Sequence, residues 1–169
     1  MKKTGLFYGV NTKKTAQIGK QIQEAFGTDQ VDIVPIEEAW KTDFEHYDNL
    51  IVGASTWFDG ELPTYWDELI PELVSLDLSG KKVAIFGLGD QAGYPDNFVD
   101  GVGILADAFE LAGATLVGFT STEGYDFNKS RAVRNNQFLG LVLDLENQSD
   151  LTAKRIAAWV KQLKKEWAE

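Results

Sequence analysis

Three polar stretches carry the residue types needed to hold a planar ring that bears a phosphate. The first, GVNTKKT at residues 9–15, joins an apolar run to a helical pattern. Backbone N–H groups entering a helix are orphan donors, and the helix dipole favours an anion beside them. Asn11, Thr12 and Thr15 add side-chain donors, while Val10, Lys13 and Lys14 complete the loop. A Walker loop would need glycine where this chain has Lys14. A polar turn that only opens a helix would carry the same residues.

The second stretch, ASTWFDG at 54–60, sets Thr56, Trp57, Phe58 and Asp59 before Gly60. Tryptophan on a tight loop offers a flat π-face, and glycine lets the backbone bend or invert. The third, GLGDQAGYPDN at 87–97, contains Leu88, Gly89, Asp90, Tyr94 and Asn97, with Phe98 next. Its glycines allow close backbone approach to a ligand, and Tyr94 supplies a second aromatic plane. Either aromatic alone could be folded back onto the core. One anion site and two aromatic faces at one edge of a sheet make the stronger combination.

Other chemistries are excluded by composition. The 169 residues include no cysteine and one histidine, His46, which reads as an ordinary surface residue. Disulfides, thiolate metal sites, Cys nucleophiles and histidine-based metal clusters are therefore ruled out. Redox chemistry would have to come from a bound organic cofactor. The net charge is −10, and positions 21–128 hold 21 acids against three bases, Lys41, Lys81 and Lys82. Such a face either keeps the protein soluble or steers a basic partner. It disfavours nucleic acid, whose phosphates need a basic footprint.

The elements that must position these loops follow from hydrophobic periodicity. Apolar β-like runs at 3–8, 31–36, 49–53 and 82–87 alternate with helical patterns at 15–26, 65–74 and 97–112. A fifth strand begins at 115–119 and continues at 138–143, and a last helix covers 152–167. In the first helix Ile18, Ile22, Ala25 and Phe26 share a face; in the last, Ile156, Trp159, Val160, Leu163 and Trp167 do. Strands separated by helices imply a parallel sheet covered on both faces, with ligands beyond the strands' carboxyl ends. The polar segment 120–137 is long for a loop and reads as an insertion splitting the fifth strand. One domain spanning 1–169 is expected, with neither repeats nor linkers. No run approaches the roughly 18 apolar residues of a membrane helix. The N-terminal apolar stretch is shorter than the roughly 7–15 residues of a signal-peptide core, so a cytoplasmic place is expected.

These motifs resemble the long-chain flavodoxins over essentially the whole chain. The family's phosphate motif, [ST]-x-T-G-x-T, falls on VNTKKT; its Thr-Trp loop falls on 56–60 and its G-x-G-D-Q-x-G-Y segment on 87–94. STEGYDF at 121–127 and FLGLVLDLENQSDLT at 138–152 resemble the long-chain insertion and fifth strand. The resemblance implies a doubly wound α/β sandwich with a five-stranded parallel sheet in the order 2-1-3-4-5. It also implies non-covalently bound FMN, with its phosphate at 10–15 and its ring between Trp57 and Tyr94. A peptide at Phe58–Asp59 would face flavin N5 and turn its carbonyl toward N5–H on one-electron reduction. Asp90 and its loop backbone would meet the pyrimidine edge, with Asn97 and Phe98 nearby. Two departures stand out: Val10 lacks the hydroxyl of the pattern, and Lys13 replaces its glycine.

The implied function is a low-potential, one-electron carrier and not an enzyme. It would be a monomer exchanging electrons with basic redox proteins, a flavodoxin/ferredoxin-NADP reductase type donor and an accepting enzyme. The alternative is an FMN-dependent NAD(P)H:quinone reductase of similar fold, which would need an open ring face. A signalling receiver domain would need an aspartate at the end of strand three, where this chain has Gly53, Ala54 and Ser55.

Overall fold

A computed structural model describes residues 4–56 and 60–169. Trp57, Phe58 and Asp59, three of the expected site residues, lie outside the described residues. The elements run in order β1 (Thr4–Tyr8), α1 (Lys13–Phe26), β2 (Val31–Pro35), α2 (Lys41–Glu45), β3 (Asn49–Ser55), α3 (Thr64–Leu73), β4 (Lys82–Leu88) and α4 (Asp100–Leu111). There follow β5 (Thr115–Val117), β6 (Thr120–Ser121), β7 (Val133–Arg134), β8 (Gln137–Phe138), β9 (Leu141–Leu143) and α5 (Thr152–Ala168).

The main sheet is parallel in the order β2-β1-β3-β4-β5, as the resemblance implies. Its period-two alternation sorts the core into two layers. Phe7, Leu50, Val52, Val83 and Ile85 point to one face, under Phe44 of α2, Trp66 and Leu69 of α3, and Leu105 and Phe109 of α4. Leu6, Tyr8, Ile51, Ala84 and Phe86 point to the other, under α1 and α5. In α5 Ile156, Trp159, Val160 and Leu163 are buried and Trp167 is half-buried. In α1 the buried stripe is Thr15, Ile18, Gly19, Ile22 and Phe26. Ala25 is exposed, because at 100° per residue it lies on the flank of that stripe.

The fifth strand is split. Thr115 to Val117 pair with Lys82 to Ala84, and Leu141 to Leu143 pair with Phe86 to Leu88, all parallel. The expected continuation at 138–143 is shorter, because Phe138 belongs to a separate antiparallel sheet, β6-β8-β7. That small sheet closes the insertion over an aromatic cluster of Phe98, Tyr125, Phe127 and Phe138. Among the described residues, no helix is long and apolar enough to cross a membrane.

Candidate functional site

Four loops meet beyond the carboxyl ends of β1, β3, β4 and β9 and line an open cavity of about 340 Å³. Its wall is Thr12, Lys13, Lys14 and Thr15 from the first loop and Ser55 and Thr56 from the second. Leu88, Gly89, Asp90 and Tyr94 come from the third, Leu145 and Glu146 from the fourth. Sequence reasoning placed the first three loops together but missed Ser55, Leu145 and Glu146. The signal for the last two was the segment FLGLVLDLENQSDLT, which marked the strand without assigning its following residues to the site.

At the foot of this cavity α1 begins two residues earlier than its hydrophobic pattern. Its first intrahelical bond runs from Ala16 N–H to Thr12 carbonyl at 2.9 Å. The preceding N–H groups of Lys13, Lys14 and Thr15 therefore belong to the open first turn. Thr12 makes no side-chain cap, and the first turn has no acidic residue. Thr15 is fully buried, and its hydroxyl has no hydrogen-bond partner among the described residues. A buried hydroxyl left unpaired is costly, and an anion oxygen at the helix start would satisfy it. The donor set thus fits a phosphate.

Val10 and Asn11 do not share this wall. Their N–H groups donate to the two carboxylate oxygens of Glu37, at 3.1 and 2.9 Å. Gly9, just before them, is fixed by packing: a Cβ there would lie 2.2 Å from the Tyr65 hydroxyl. Burial pushes the Tyr65 phenol above its ordinary value.

On the second loop Thr56 is committed to structure. Its N–H donates to Leu88 carbonyl at 3.3 Å, and its hydroxyl accepts from Gly101 N–H at 3.0 Å in the first turn of α4. Gly60, φ +89, is in the left-handed region that favours glycine.

The third loop is held from below by Asp144. This fully buried carboxylate accepts from the Gln91 backbone and side chain at 3.0 and 2.7 Å, and from Asn147 Nδ2 and the N–H groups of Glu146 and Asn147. Burial pushes its pKa up, but the donors from Asn147 and Gln91 outweigh burial and hold it below the ordinary value. Asp90 accepts from Gly93 N–H at 2.9 Å and Asn147 Nδ2 at 2.7 Å, and its carbonyl takes the N–H of Tyr94. Tyr94 is left 52% exposed at the cavity wall, a ring face open to a ligand. Phe98 sits elsewhere than at the wall. It is 1% exposed within the insertion's aromatic cluster, and its ring backs Gly89. The Asn97 carbonyl accepts from Asp100 N–H at the start of α4, and Asn97 is also not part of the wall.

A parallel five-stranded sandwich with an anion-ready helix start and an exposed aromatic at its switch-point edge defines a mononucleotide-binding α/β protein. Comparison with known proteins gives the family. Residues 6–159 match the family model described as Flavodoxin. The flavodoxin of a Nostoc strain is 50% identical over 166 residues, covering 98% of each chain. That of Synechococcus elongatus is 50% identical over 168 residues, covering 99% of each. Among solved structures, Fusobacterium nucleatum flavodoxin bound to flavin mononucleotide superposes with a TM-score of 0.93 at 36% identity, over 98% of this chain and 99% of that one. Its K13G mutant, also bound to flavin mononucleotide, superposes equally well, with a TM-score of 0.93. The chain belongs to the flavodoxin family, and is thus an electron carrier based on FMN.

Proposed function

We propose that this chain is a low-potential, one-electron shuttle between redox proteins, with no catalytic site of its own. The observation that carries the reading is the buried Thr15 hydroxyl, without a partner among the described residues, beside an open helix start at the foot of a cavity walled by Tyr94. The N–H groups of residues 12–15 and the Thr12 and Thr15 hydroxyls bind the FMN phosphate, with the Lys13 and Lys14 ammonium groups nearby. Tyr94 would stack on one face of the ring and Trp57 on the other. Together they exclude water and leave no open face for a nicotinamide or a quinone. The peptide between Phe58 and Asp59 would hold the ring at N5, and Asp90 with the Leu88 and Gly89 backbone would hold its pyrimidine edge. Val10, Asn11, Asn97 and Phe98 support this contact layer from behind. FMN supplies the electron-accepting chemistry; the protein supplies position and electrostatics.

Acidic residues near the ring, Asp59, Glu61, Asp90 and Asp96, disfavour an added negative charge. At about 10 Å and an effective dielectric near 40, each contributes roughly 0.8 kcal/mol. That is about 35 mV per charge for a one-electron couple. The same acidity suits a monomer that docks basic partners in the cytoplasm, among them a ferredoxin-NADP reductase type donor. Residues 1–169 form a single FMN-binding domain in this reading.

Absorption spectroscopy of the purified protein tests this. Flavin bands that NADPH alone does not bleach, but that NADPH with a catalytic amount of such a reductase does, are the expected result. Rapid bleaching by NADPH alone would make the protein a reductase in its own right.

A further inference from the structure

The carboxylate of Glu37 makes two backbone hydrogen bonds to the loop after β1. Its oxygens accept separately from Val10 N–H and Asn11 N–H at 3.1 and 2.9 Å, across 27 and 26 positions of sequence. Glu37 does not line the cavity beside Thr12 and Thr15. It lines a separate groove with Trp40, Tyr65 and Glu68. The loop is therefore gripped from behind by one anion while its next four residues face the cavity.

We propose that Glu37 is a positioning residue for phosphate binding, which fixes residues 10 and 11 so that the N–H groups of 12–15 stay aimed into the cavity. The inference rests on the phosphate reading given above. Val10 has no hydroxyl with which to brace the loop itself. Glu37 is well placed to brace it instead, because it sits in the short 3-10 turn Ile36–Glu38 that directly follows β2. β2 pairs with β1 in register up to Tyr8 opposite Pro35, so the two strand ends that carry the loop and its brace are rigidly joined. Tyr65, packed against Gly9, closes the same corner. A negative charge behind the loop also repels a phosphate. That repulsion acts through solvent, whereas the two hydrogen bonds are direct and charge-assisted, so the brace dominates.

The test is fluorescence titration of the full chain, stripped of flavin, with FMN and with riboflavin, which has the ring but no phosphate. Parent, Glu37→Ala and Glu37→Gln are compared. Glu37→Ala should weaken FMN binding by about tenfold and riboflavin binding by less than about twofold, the scale of lost charge-assisted bonds. Glu37→Gln keeps one acceptor and should lose only about threefold for FMN. FMN binding that is unchanged or tighter in either variant overturns the proposal, the second result marking Glu37 as a competitor for the loop donors. Equal losses for both flavins overturn it too, because Glu37 would then serve the fold and not the phosphate. A parent that fails to prefer FMN over riboflavin would instead overturn the phosphate reading beneath it.

Discussion

Lys14 and Glu146 form an ion pair at the cavity wall, joining the first turn of α1 to the loop after β9 across 132 positions of sequence. Their side chains are 59% and 49% exposed, so the pair itself adds at most about 1 kcal/mol to stability. Its effect falls on the ligand, since a Lys14 ammonium engaged by a carboxylate is less available to a phosphate. Glu146→Gln should tighten FMN binding by roughly two- to threefold at low ionic strength while leaving the unfolding free energy within about 0.5 kcal/mol. An FMN affinity that does not respond would place Lys14 out of the phosphate's reach.

The Tyr94 ring is open on one side for stacking. Base–aromatic stacking is worth roughly 1–3 kcal/mol per contact, so Tyr94→Ala and Trp57→Ala should each raise the FMN dissociation constant about tenfold or more. If both variants titrate like the parent, the ring lies elsewhere.

Lys13 stands at the start of α1, where a positive charge opposes the helix dipole but attracts a phosphate dianion. Lys13→Gly should weaken FMN binding at low salt by roughly 0.5–1 kcal/mol, with the difference shrinking as salt rises. Riboflavin should bind both proteins about equally. Tighter FMN binding by the glycine variant at every salt concentration would mark the lysine as a liability.

Docking should depend on salt. Glu61 and Asp67 are exposed on the acidic middle of the chain, beside the second loop and on α3. Steered association with a basic reductase slows steeply with ionic strength, and Glu61→Lys or Asp67→Lys should slow it further. Stopped-flow rate constants that stay flat from low to physiological salt would refute the steering.

Asp144 gives a pH signature. Its folded-state pKa is below the ordinary 3.8, so its contribution to stability is present above that value and lost as pH falls through the folded one. Asp144→Asn keeps one acceptor and adds donors where donors already converge, and should cost about 2 kcal/mol at neutral pH. The gap between variant and parent in urea melts should close as the pH falls below about 3.8. A gap independent of pH would assign the loss to shape, not charge.

Much of this was legible locally. Apolar strands separated by helices gave a parallel sheet covered on both faces, and the loops after strands one, three and four were read as lying at one edge, because both depend on residues close together in sequence. The short helix α2 was not legible. It has only five residues, started by Asp43 accepting from Trp40 N–H at 2.8 Å, too few for a helical period to register. The start of α1 was displaced because Lys13 and Lys14 are helical yet exposed, so no buried position announces them. The roles of Glu37, Glu146 and Asp144 were hidden for another reason. Each acts on a segment at least 26 positions away, a pairing that only the packed sheet creates.

The divided edge of β4 bears on how the molecule assembles. Lys82 to Ala84 gain their outer neighbours from β5, which follows α4 directly. Phe86 to Leu88 gain theirs from β9, which follows the small sheet β6-β8-β7 in the chain. A longer loop must be closed before that second half is rewarded, so it consolidates later. Pulse-labelled amide exchange during refolding should therefore find Leu141 to Leu143 protected after Thr115 to Val117. The half of the strand that leads into Gly89, Asp90 and Tyr94 would then lock after the half that pairs with β5, so the cavity's third loop gains its footing late.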